Sequence, residues 1–127
     1  MNVKKLMQEY QGVQVDSAIA DADSHKLISM LMNGAVDKMV MAKAANDPAS
    51  RKALVGKAIS IVEYLRVSLD PGADLEFSTQ LGELYSYMEL QLLKSTTENT
   101  EAPLDDAIAL LKPVRDGWDA MQVEYRG

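Results

Sequence analysis

Apolar residues recur along this chain at steps of three and four in four successive blocks, and the two-residue alternation of a half-buried strand is absent. The pattern predicts an all-α protein. The first block starts beside Asp23, a residue suited to cap free helix amides, and runs to about Ala45 with Leu27, Ile28, Leu31, Ala35, Met39 and Ala42 on one face. Asn46-Asp47-Pro48 then supplies a stop and a new start, because aspartate can accept from exposed amides and proline suits the first helical position. The second block carries Leu54, Ala58, Ile61, Val62, Leu65 and Leu69 and ends at the turn signature Asp70-Pro71-Gly72. The third, from about Asp74 to Ser95, aligns Phe77, Leu81, Leu84, Tyr85, Met88 and Leu92.

After the polar run STTENTEA, Pro103 opens a fourth helix, with Asp105 and Asp106 placed to complement its N-terminal dipole. Its seam is Ala107, Leu111, Val114, Trp118, Met121 and Tyr125, spaced by four and three as in helices packed lengthwise. Pro113 lies within this helix and predicts a kink or a restart near residue 112, since it removes a backbone hydrogen bond and crowds the preceding turn. Short connections make consecutive helices antiparallel, so the expected fold is an up-down four-helix bundle over residues 23–127. Residues 1–22 are expected to form a mobile extension with room for a short cap helix.

Composition narrows the function. The 127 residues, 47% of them apolar, suffice for one domain with its own core. A net charge of −6, from 19 acidic against 13 basic residues with no basic cluster, argues against nucleic acid as a partner. No run approaches the roughly 18 to 20 apolar residues that cross a bilayer. The stretch LMQEYQGVQVDSAIA is too polar for a signal-peptide core, so no membrane insertion and a cytoplasmic location are expected. The absence of cysteine removes disulfides, thiolate catalysis and zinc-thiolate sites.

Few residues remain to carry chemistry. A di-iron bundle needs two Glu-x-x-His pairs, whereas this chain has one histidine, His25, with Ala22 three residues before it. Glu63, Glu83 and Glu89 lack the spacing of an acid and base pair and read as solvated helix surface. There is no glycine-rich phosphate loop and no nucleophile elbow. The chain reads as a non-enzyme with no metal and no cofactor. Histidine phosphotransfer domains are also four-helix bundles with a lone histidine, but they follow it by a lysine and a glycine about one turn later, where this chain has Ile28 and Ser29. That reading stays open as an alternative, as does a self-associating structural bundle.

The helices carry more apolar surface than a peripheral bundle helix needs. On the first, Met32, Val36 and Val40 extend the apolar arc on one side, while Met30 and Met41 extend it on the other. Val55 and Ile59, Leu90 and Leu93, and Ile108 and Leu110 repeat the excess on the other three. Adaptable methionines favour grooves that accept an amphipathic partner. The groove is expected to include Met30, Met32, Val36, Val40, Ile59, Leu90 and Leu93. Gly34, Gly56, Gly82 and Gly117 place one glycine inside each helix, which close helix approach would explain. Leu6, Met7, Tyr10, Val13 and Val15 give the N-terminal segment enough apolar surface to serve as a removable cover.

DSHKLISMLMNGA resembles the first bundle helix of the flagellin-specific export chaperones, the FliS family. KAISIVEYLRVSLD is similar to the second helix, LGELYSYMELQLL carries the third helix's Leu-Tyr-x-Tyr-Met pattern, and Trp118 falls where the family places its last-helix tryptophan. The likeness runs from Tyr10 to about Trp118, departing at Ser24, where a proline is usual, and at Pro113. The resemblance implies a cytoplasmic chaperone that binds the disordered C-terminal region of flagellin, blocks premature filament assembly and delivers flagellin to the flagellar type III export gate. It also implies a role in groove covering or gate docking for Tyr10, and by proximity for Met7. Weak self-association is a further partner that the apolar surface allows.

Overall fold

A computed structural model describes the backbone of residues 24–69 and 75–126 and the side chains of residues 25–69 and 75–121. Four helices make up the described chain: α1 (Ser24–Ala44), α2 (Pro48–Val67), α3 (Leu75–Thr97) and α4 (Ala102–Arg126). The expected cap at Asp23, the turn at Asp70-Pro71-Gly72, the N-terminal segment with Met7 and Tyr10, and the side chain of Tyr125 lie outside the described residues.

The boundaries follow local chemistry. Asp47 has extended backbone angles, its carboxylate accepts from the Ser50 amide at 2.9 Å, and Pro48 stands first in α2. This hydrogen bond holds the Asp47 carboxyl below the usual aspartate range. At the end of α3, Asn99 adopts φ 49° and the Thr100 amide donates to the Ser95 carbonyl at 3.3 Å. Asparagine tolerates that left-handed turn, which satisfies a carbonyl the helix end would leave open.

Each helix packs on the next, and α4 returns to pack on α1, so the four form a closed square. Contacts between helix ends show the antiparallel order. Lys43, at the end of α1, meets Asp105 at the start of α4, whereas His25, at the start of α1, meets Trp118 far along α4. Arg51, in the first turn of α2, donates to the Ala42 carbonyl at the end of α1 and pairs with Glu101 before α4.

The shared core contains Leu27, Leu31, Ala35, Met39 and Ala42 from α1 and Ala58, Ile61, Val62 and Leu65 from α2. Tyr85, Met88 and Leu92 complete it from α3, with Leu104, Ala107 and Leu111 from α4. Burying each large aliphatic side chain contributes on the order of 1.5–3 kcal/mol, and helix pairing lets these stripes meet. Val55, expected off the core, is buried within it.

No restart occurs at Pro113, and α4 continues through it as one helix. Pro113 and Ala109, whose carbonyl the missing amide would have bonded, are both exposed, so water can serve that carbonyl. Leu111 is buried before the proline, and Val114 and Trp118 pack against the core after it. Packing on both sides holds the two halves of α4 to the same core.

Candidate partner-binding surface

The four faces of the square differ in chemistry. Between α1 and α4, polar ties recur at three levels: Lys43 to Asp105 at 2.7 Å, Ser29 Oγ donating to Asp119 Oδ1 at 2.7 Å, and Trp118 Nε1 donating to the His25 carbonyl at 2.8 Å. The Asp105 carboxylate raises the pKa of the Lys43 amine by accepting its hydrogen bond. The indole and imidazole rings of Trp118 and His25 also stack, 4.1 Å apart and 7° from parallel.

α3 is different. Of the nine exposed large hydrophobic residues among the described side chains, five belong to it: Leu75, Phe77, Tyr87, Leu90 and Leu93. Arg66 on α2 pairs with Glu89 on α3 at 2.9 Å, which fixes the flank of α3 that faces α2. Leu93 lies one turn beyond Glu89 on that flank, and Leu90 stands further outward. Ile59 lies two turns before Arg66 on the matching flank of α2 and is half-buried against the core. On the other flank, Gln91 donates to Asp106 of α4 at 2.9 Å, with Tyr87 one turn earlier.

The expected groove residues therefore separate. Ile59, Leu90 and Leu93 gather on the α2–α3 side, with Leu90 59% and Leu93 51% exposed. Met30 is half-buried on the flank of α1 turned away from α4, and Val40, 46% exposed, stands at the outer edge of the α1–α4 seam. Met32 and Val36 require correction: at 1% and 3% exposure they are core residues, not groove surface. They share the flank of α1 that carries Ser29 and His25, and α4 covers that flank when it closes the square. Phe77 errs the other way: expected in the core, it is exposed in the first turn of α3.

The glycines do not mark close helix approach where they can be tested. A methyl group at Gly56 or Gly117 would meet no atom within 4 Å, and one at Gly82 would make ordinary contact with Leu69 Cδ1 at 3.5 Å. Sequence reasoning also missed Leu75, Tyr87 and Val67 as exposed apolar residues. Their positions on the outward arc of α2 and α3 were available from helical periodicity. Among the described residues no group of acidic or histidine side chains could hold a metal, and no helix is long and apolar enough to cross a membrane.

Residues 6–125 match the family model described as flagellar protein FliS. The chain belongs to the FliS family. It is 36% identical over 124 residues to flagellar secretion chaperone FliSB of Pseudomonas aeruginosa, covering 95% of this chain and 98% of that relative. It is 34% identical over 125 residues to the Vibrio cholerae flagellar secretion chaperone FliS, covering 94% of this chain and 90% of the relative. With the Escherichia coli flagellar secretion chaperone FliS the identity is 33% over 122 residues, or 93% and 90% of the two chains. The FliS family is one of chaperones rather than enzymes, so the polar residues of this FliS-family chain are read as ties within the bundle. His25, the residue on which a phosphotransfer reading rested, is one of those ties through its carbonyl and its stacked ring.

Proposed function

We propose that this protein binds the disordered C-terminal region of flagellin in the cytosol, prevents its premature polymerisation and delivers it to the flagellar export gate. The observation that carries the reading is the concentration of exposed apolar side chains on α3. Scattered exposed apolar residues are ordinary, but a series on one helix between two seams is suited to an amphipathic guest. The guest orders as it binds, and part of the contact energy offsets its lost freedom. Membership of a flagellar secretion chaperone family makes a flagellar protein the guest to test first.

In this reading Ile59, Leu90 and Leu93 form the main contact, Met30 and Val40 offer a separate contact on α1, and the N-terminal segment with Met7 and Tyr10 serves as a removable cover or docks at the gate. Calorimetric titration of full-length and tail-deleted flagellin tests it. Binding is expected only to the full-length protein, and replacing Leu90 and Leu93 together by aspartate should abolish it with helical content intact. Equal affinity for the tail-deleted form overturns the proposal. So does sedimentation as a stable dimer with no flagellin affinity, which favours self-association instead.

A further inference from the structure

The two halves of α4 are held differently. Before Pro113, Leu104, Ala107 and Leu111 are fully buried. Beyond it, Val114 and Trp118 are half-buried and Met121 is 40% exposed. Beside Trp118 the bundle end is not filled: Ile28, Met32, Leu65, Leu81 and Trp118 border a half-open apolar space of about 280 Å³. Such a gap withholds from the far half the dispersion contacts that hold the near half.

Polar ties do much of the fastening there. Asp119 accepts from Ser29 Oγ at 2.7 Å, and Trp118 Nε1 donates to the His25 carbonyl at 2.8 Å while its ring stacks on the imidazole. Both ties end in the first two turns of α1. Arg115 pairs instead with its own neighbour Asp116 at 3.1 Å. Hydrogen bonds of this kind contribute little net, because water replaces them when the seam opens.

The helix is also weakest where its halves join. Pro113 has no amide to give the Ala109 carbonyl, and its ring crowds the preceding turn. Gly117 follows one turn later, with the most backbone freedom to regain and no neighbouring atom within 4 Å of where a side chain would begin.

We infer that the part of α4 beyond Pro113 is a strap that swings off α1 as one unit while the near half stays in the core. Sub-global openings of this kind occur where buried apolar contacts are few. Release of the strap uncovers Ile28 and Met32 and leaves the packing of α2 on α3 untouched. This device goes beyond the flagellin reading and stands whether or not flagellin is the guest.

Native-state hydrogen exchange of the full chain, resolved amide by amide by NMR, tests it. Amides of residues 114–121 are expected to share one opening equilibrium and to exchange about tenfold or more faster than those of residues 108–112. Pro113→Ala should slow the far amides about tenfold or more and leave residues 108–112 as they were. Ser29→Ala, which removes the tie to Asp119, should speed the far amides about twofold to tenfold, again without effect on residues 108–112. Rates that climb smoothly toward the helix end would mean fraying rather than a hinge, and would overturn the strap. So would a single rate along the whole of α4, or far amides that respond to neither substitution.

Discussion

The indole of Trp118 lies flat against the imidazole of His25, and its N–H donates to that residue's own carbonyl. Ninety-three residues separate the two in sequence, so this double contact fastens the far half of α4 to the first turn of α1. Trp118→Phe keeps an aromatic ring but loses the donor. It should destabilise the bundle by about 1 kcal/mol, as read from urea unfolding followed by circular dichroism. No change in the midpoint would show that the hydrogen bond contributes nothing net.

Val36 and Leu90 separate folding from binding. Val36→Asp places an unpaired carboxylate where α4 covers α1, and should destabilise by more than about 3 kcal/mol or prevent folding. Leu90→Asp, on the outer side of α3, should change stability by less than about 1 kcal/mol and act on guest binding. Thermal melts of the two variants check the contrast, and a folded Val36→Asp of near wild-type stability would contradict the assignment of that position.

Gly56 and Gly117 have open space where a side chain would begin. Replacing either by alanine should stabilise the free protein by roughly 0.5–1 kcal/mol through helix propensity alone. The two gains should add, because the sites lie on different helices without a shared partner. If guest affinity falls in these variants while stability rises, the open space belongs to the binding surface.

The Asp47 cap gives a pH dependence of known sign. Its carboxyl titrates lower in the folded chain than in the unfolded one, so its stabilisation is fully present above the ordinary aspartate range. It is lost as pH falls through the lowered folded value. Asp47→Ala should therefore melt earlier than wild type at neutral pH, and the gap should narrow in acid. Asp47→Asn, which caps without ionising, should show no such narrowing.

Much of the fold was legible because periodicity and caps are local. The Asp47-Pro48 start of α2 and the α1 stripe from Leu27 to Ala42 follow from residues within one or two turns of one another. The groove was less legible, because exposure depends on which flank a distant helix covers. Met32 and Val36 are as apolar as Leu90 and Leu93, yet α4 buries the first pair and nothing described covers the second. Phe77 shows the same limit at a helix end, where the stripe outruns the core it would join. The apolar space that Ile28, Leu65, Leu81 and Trp118 border has no signature in a single helix, since all four supply its walls.

The polar stitching between α1 and α4 has a mechanical corollary. A guest gripped through α3 would meet a salt bridge and two side-chain hydrogen bonds on the opposite side, and so would close only part of a collar around the bundle. An open collar can peel away sideways, one segment at a time, without the bundle having to unthread or unfold.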